Sequence, residues 1–254
     1  MQTIYRVTRI PAFVLLAVFS SQLFAEDREP KTKTGVVRST KTKPISWETI
    51  PDPKLPNVLI LGDSISIGYG LPLKRKLEGI ANVYRPMATK TKPQNCGGTT
   101  RGVEQIDAWL AETEWDVIHF NWGLHDLKHV TEPGGSSVSK KESDPVQATV
   151  EQYGKNLELI VGKLKATGAK LIFATTTPVV ANSSGPLREV EAPAQYNEAA
   201  LEIMKKHDVE VNDLYAACFD KLDQLQLPKN VHFKKEGSEF LADVVASKIE
   251  AALQ

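Results

Sequence analysis

Apolar residues fall along this chain in two kinds of block. Asn57-Val-Leu-Ile-Leu61 is a short apolar run ending at Gly62, the pattern of a strand buried on both faces. Lys170-Leu-Ile-Phe-Ala174 repeats it, and Trp115-Asp-Val-Ile-His-Phe-Asn121 supplies a third strand. Shorter runs at Val83–Arg85 and Val209–Val211 read as brief strands. Between them the spacing turns helical. Leu73, Leu77 and Ile80 recur at helical intervals after Pro72, and Thr100 is placed to cap a helix bearing Val103, Ile106, Trp109 and Leu110. Asp144-Pro145 reads as an N-cap followed by a first-turn proline. It opens a stripe of Val146, Val150, Tyr153, Leu157, Ile160 and Leu164 that Gly168 ends. Helix signals return over 192–207, and a last helix carries Phe240, Leu241, Val244, Val245 and Ile249. Alternation of strand and helix at this spacing predicts a three-layer α/β/α domain, a parallel sheet with helices on both faces.

The N-terminus breaks this pattern. Arg6 and Arg9 precede the apolar run 11–20, and Ala25 stands before Glu26-Asp27. That order predicts a secretory signal peptide over 1–25, cleaved after Ala25, with a secreted or periplasmic mature protein. The run is too short for a comfortable membrane span, so no stable span is expected after cleavage; the alternative is an uncleaved anchor. Residues 26–55 are rich in Lys, Thr and Pro and read as a linker or extended arm. The folded domain is expected over 56–254, without an internal repeat.

Composition narrows the function. Hydrophobic residues make up 41% and charged residues 24% of the 254, an ordinary globular balance. Lys and Arg total 31, as do Asp and Glu, and the absence of a basic excess argues against a nucleic-acid partner. Two cysteines, Cys96 and Cys218, read as small buried hydrophobes; their spacing does not decide whether they pair. No cofactor or metal motif is present. His125 and His129 stand four apart, as zinc ligands on a helix can, but in a loop context without an acidic partner motif.

Sites in open parallel sheets form at the carboxyl ends of the strands. After the first strand comes Gly62-Asp63-Ser64-Ile65-Ser66, which puts a serine at a strand-to-helix turn with its N–H free to help hold an oxyanion. A helix-capping serine is the plainer reading. This is neither the Gly-x-Ser-x-Gly elbow nor a dinucleotide fingerprint. After the second strand comes Asn95-Cys96-Gly97-Gly98-Thr99-Thr100, where paired glycines allow close backbone approach. After the third comes Asn121-Trp122-Gly123-Leu124-His125-Asp126. Near the C-terminus, Asn230-Val231-His232-Phe233 places a histidine just before the last helix. A serine nucleophile needs a base, and an imidazole suits that task.

Together these four segments resemble the SGNH, or GDSL-like, hydrolase family of lipases and acylhydrolases, over roughly residues 57–252. The resemblance implies a flavodoxin-like α/β/α fold and serine esterase chemistry without a cofactor. It implies Ser64 as nucleophile and His232 as general base. The oxyanion would be held by the N–H groups of Ser64 and Gly98 and by a third-block side chain. Two positions depart from the family pattern. The third-block Asn is His125, with Asn121 as an alternative donor just upstream. The Asp expected three residues before the histidine is Lys229, which leaves Asn230 or a nearby backbone carbonyl to orient the ring. Asp63 and Asp126 are expected in supporting places. The expected substrate is an O-acetyl or short acyl ester of a carbohydrate. A lysophospholipase or thioesterase, or a non-catalytic glycan-binding protein, are the alternatives.

Overall fold

The computed structural model describes residues 45–254. The expected signal peptide and residues 26–44 of the expected arm lie outside them. The order of elements is β1 (Asn57–Leu61), α1 (Ser64–Lys76), β2 (Asn82–Tyr84), α2 (Thr99–Leu110), β3 (Val117–Phe120), α3 (Val150–Lys165), β4 (Lys170–Ala174), α4 (Ala192–Lys206), β5 (Glu210–Asn212), α5 (Leu214–Phe219), α6 (Leu222–Leu225) and α7 (Lys235–Leu253). The five strands form one parallel sheet in the order β2-β1-β3-β4-β5. That is the flavodoxin-like order expected above, and its crossing point lies between β1 and β3.

Apolar runs decide which strands are central. Val58 to Leu61 in β1 and Val117, Ile118 and Phe120 in β3 are all buried, because helices cover both faces of a parallel sheet. On the helical layers, α1 packs on α7, while α2 packs on α3 and α3 on α4. Among the described residues no helix is long and apolar enough to cross a membrane.

Three local expectations need correction. First, α1 starts at Ser64, at the strand-to-helix turn expected for that serine, and runs on through Pro72, which sits inside the helix rather than ahead of it. Pro72 lacks the N–H that would reach the Gly68 carbonyl, and Gly68 lies on the exposed face. Second, α2 starts at Thr99 with Gly98 as its N-cap, so Thr100 lies within the first turn and caps nothing. Third, Asp144-Pro145 does not open α3. Its cap is Thr149, whose hydroxyl accepts from the Gln152 N–H at 3.2 Å. Val146 instead bridges His129 in the preceding loop, and Asp144 accepts from Ser139 Oγ at 2.5 Å.

Residues 45–55 of the expected linker or arm lie against the domain. The Trp47 ring lies 5.5 Å from the Arg85 guanidinium, a cation–π distance. Thr49 Oγ1 donates to the Val83 carbonyl at 2.6 Å, and Asn82 Oδ1 accepts from the Asp52 N–H at 2.8 Å. Lys74 Nζ donates to the Trp47 and Glu48 carbonyls at 3.1 and 3.0 Å.

Candidate active site

The turn from β1 into α1 sets the first side chain. Asp63 caps α1 by accepting from the Ile65 N–H at 2.9 Å. Asp63, not Ser64, is therefore the capping residue, and Ser64 is left as the first helical residue with its hydroxyl outward. Ser66 Oγ donates to the Asp63 carbonyl at 2.7 Å. The turn is braced from behind by Arg85, which donates to the Gly62 and Gln94 carbonyls at 3.3 and 3.0 Å.

The loop from Gln226 to Lys234 brings His232 across. It is anchored by a bridge between Gln226 and Phe233, by the Leu227 N–H on the His232 carbonyl at 2.9 Å, and by Gln226 Nε2 on the Pro178 carbonyl at 2.9 Å. His232 Nε2 then lies 2.9 Å from Ser64 Oγ. On the other side of the ring, Nδ1 lies 2.7 Å from Asn230 Oδ1, and that same oxygen accepts from the His232 backbone N–H at 3.0 Å. A backbone N–H can only donate, so the Asn230 atom between them is its oxygen. Nδ1 must carry the ring proton, and the Nε2 lone pair faces the serine hydroxyl. That is the tautomer a general base requires.

Lys229 is exposed and adopts a positive φ of 50°. Its carbonyl accepts from the Ser184 N–H at 2.7 Å. The chain turns there, so the residue after it, Asn230, reaches the imidazole.

The third strand's loop supplies the rest. Gly123 takes a φ of 152°, and a Cβ on it would stand 1.9 Å from Thr176 Oγ1, so no other residue fits. Asp126 is fully buried, and its Oδ1 accepts from Thr99 N–H at 2.7 Å and Thr99 Oγ1 at 2.5 Å. This clamps the loop to the start of α2, where a Cβ on Gly98 would come within 3.1 Å of both Asp126 Oδ1 and Gln147 Oε1. Burial pushes the Asp126 carboxyl up to about 7, against the pull of its bonds from Thr99. The N–H groups of Ser64 and Gly98 have no protein acceptor among the described residues.

His125 and Lys128 line a cleft of about 710 Å³ together with Asn95, Gly98, Arg101 and Gln147. Lys128 Nζ lies 3.3 Å from His125 Nδ1. Burial drives the His125 imidazolium down to about 4, helped by the charges of Lys128, Arg188 and His232 and opposed by Asp63. Asn121 is used differently: its Nδ2 donates to the Ala174 carbonyl at 2.8 Å, tying the end of β3 to the end of β4. Sequence reasoning missed Lys128, Arg188 and the brace Arg85, whose places depend on loop paths that no periodicity records.

His129 is not paired with His125. Its Nδ1 lies 2.7 Å from the Asp144 carbonyl. Among the described residues no three His, Cys, Asp or Glu side chains are grouped to hold a metal. Cys96 and Cys218 are separate buried thiols.

The model of the GDSL-like lipase/acylhydrolase family matches residues 60–240. Solved structures share the fold at low identity. A lipase/acylhydrolase from Enterococcus faecalis is 18% identical, with a TM-score of 0.61 over 77% of this chain and 96% of that one. The acetyl xylan esterase AlAXEase is 14% identical, with a TM-score of 0.59 over 76% and 99%. Axe2, an acetylxylan esterase from Geobacillus stearothermophilus, is 16% identical, with a TM-score of 0.59 over 76% and 94%. No curated protein matches the chain. With the family model matched along most of its length and the family's fold reproduced, this chain belongs to the GDSL-like lipase/acylhydrolase family and is an ester-acting hydrolase.

Proposed function

We propose that this protein is an exported serine esterase that removes O-acetyl or other short acyl groups from carbohydrate by way of an acyl-enzyme on Ser64. One observation carries the reading: Ser64 Oγ lies 2.9 Å from His232 Nε2, with the other ring nitrogen held by Asn230. His232 takes the hydroxyl proton as Ser64 Oγ bonds to the acyl carbon. It returns that proton to the departing alcohol when the C–O ester bond breaks. Water, deprotonated by His232 in turn, attacks the acyl carbon and releases the acid from Ser64. The developing oxyanion is held by the N–H groups of Ser64 and Gly98 and by His125. One such donor is worth on the order of 10²–10³ in rate. Asp63 and Asp126 act at one remove, as cap and clamp.

The substrate class rests on the cleft. Asn95, Arg101, Glu104, Gln105 and Gln147 line it, side chains that can exchange hydrogen bonds with the hydroxyls of a sugar. The fold is also that of two structures named as acetyl xylan esterases. Export rests on the sequence of residues 1–25.

A panel of acetyl, butyryl and palmitoyl esters, with acetylated xylo-oligosaccharides, tests the proposal beside Ser64→Ala. Acetyl substrates are expected to turn over fastest, and the variant is expected to be inactive yet folded. Preference for palmitoyl esters would make it a lysophospholipase or thioesterase. Absence of turnover, with no labelling by a fluorophosphonate, would make it a glycan-binding protein. Export is tested by sequencing the N-terminus of the secreted protein, which should begin at Glu26.

A further inference from the structure

Lys128 has no place in the reaction proposed above, yet among the described residues it is the most buried lysine, with 7% of its surface exposed. Its backbone is fixed, since its carbonyl accepts from the Gln147 N–H at 2.9 Å. Its ammonium forms no ion pair among the described residues, and its one hydrogen-bond partner there is His125 Nδ1, at 3.3 Å. Partly desolvating an ammonium beside a neutral ring is costly, and the contact constrains the ring in a specific way.

An ammonium has hydrogens to give and no lone pair. The contact is satisfied only when His125 Nδ1 is an acceptor. The single proton of the neutral ring must then sit on Nε2. The opposite tautomer would set an N–H against the ammonium, and the imidazolium would set two positive charges in contact. Arg188 adds to this. Its Nε donates to the carbonyl of Leu124 at 2.8 Å, next to His125 in the chain, and its charge also opposes protonation of the ring. His232, when protonated, acts the same way, and Asp63 is the opposing negative charge. Asp126 and Arg188 are the charges that act on Lys128 itself.

We infer that Lys128 is a positioning residue: by donating to His125 Nδ1 it fixes the Nε2–H tautomer and keeps the ring neutral, so that His125 presents one N–H to the oxyanion as an asparagine amide would. The inference rests on His125 being the third oxyanion donor. It explains how a histidine can stand where the family carries asparagine. An amide always has N–H groups to present, whereas an imidazole has one on the required side only if its tautomer is set.

Long-range ¹⁵N–¹H spectra of the histidine side chains test this near neutral pH, without substrate. Wild-type His125 should show the Nε2–H tautomer and no imidazolium. In Lys128→Met the Nδ1–H form and the imidazolium should both gain population, and Lys128→Arg should restore the wild-type spectrum. In kinetics, Lys128→Met should lower kcat about tenfold with KM unchanged, a fraction of what a whole oxyanion donor contributes. In a His125→Asn background the same change should cost nothing further. An Nδ1–H tautomer or a charged ring in wild type would overturn the inference, as would a spectrum unmoved by Lys128→Met. So would an equal loss of kcat in the His125→Asn background, which would make Lys128 merely structural. If the protein turned over no ester at all, the proposed function would fall, while the spectra would still decide the tautomer.

Discussion

His232 is exposed, and it is held in register by one neutral side chain, Asn230, through two hydrogen bonds to the same oxygen. An amide oxygen fixes the tautomer but carries no charge to stabilise imidazolium. Asn230→Asp should therefore raise kcat and move the acidic limb of the kcat/KM profile to higher pH, because a carboxylate favours the protonated ring. Asn230→Ala should lower kcat at least about tenfold, less than the ~10⁴ lost when a triad aspartate is replaced. Lys229→Asp should change neither, since that residue turns away with a φ of 50°. Asp126 gives a second test, in stability. Its folded carboxyl sits at about 7, above the ~3.9 of an unfolded chain. A group raised on folding makes the folded state hold more protons, so its contribution falls as pH rises from about 4 through 7. Asp126→Asn, which keeps an oxygen for Thr99, should flatten that part of the urea-unfolding profile; an unchanged slope would show that Asp126 is ionised in the fold. Ser64, Gly98 and His232 were legible in the sequence because each follows a strand or precedes a helix in a recognisable block. Asn230 and a nearby backbone carbonyl stood as alternatives there, because sequence spacing does not reveal the left-handed turn at Lys229.

At the level of elements, legibility follows length and uniformity. β1 and β4 were bounded correctly because each is a five-residue, mostly apolar run. The first half of α1, from the turn at Ser64 to Pro72, showed no helical spacing, since Gly68, Gly70 and Pro72 are weak helix formers, and the helix survives by packing on α7. α5 and α6 went unseen, being six and four residues long, too short to show a period. For α3 the sequence pattern points only to Asp144-Pro145 as the cap. Asp144-Pro145 has the stronger sequence signature, yet Thr149 makes the cap because residues 144–148 are drawn into bonds with the 126–139 loop, including the Ala148 N–H on the Asp126 carbonyl at 3.0 Å. Thr149→Ala should cost about 1 kcal/mol in urea unfolding and leave turnover intact. A loss of turnover without a loss of stability would mean that Thr149 acts on the site instead.

Across the whole molecule, the sheet order puts the loops after β1 and β3 on either side of its crossing point, and the loop before α7 closes the site from the third side. The docked arm joins this arrangement at a distance. Trp47 covers Arg85, and Arg85 holds the Gly62 carbonyl behind Ser64. Trp47 also sits against Gly70, where a Cβ would come within 2.7 Å of its ring. Trp47→Ala should cost about 1–3 kcal/mol, less than a fully buried tryptophan, and lower kcat more than KM changes. An unchanged kcat in Trp47→Ala would place the support for Arg85 elsewhere. The most direct test of the central claim is to react the protein with a slowly deacylating ester, quench it, and locate the acyl group by peptide mass spectrometry. One acyl adduct on the peptide carrying Ser64 is expected, absent in Ser64→Ala and formed far more slowly in His232→Ala; an adduct on another residue, or turnover that persists in Ser64→Ala, would contradict it.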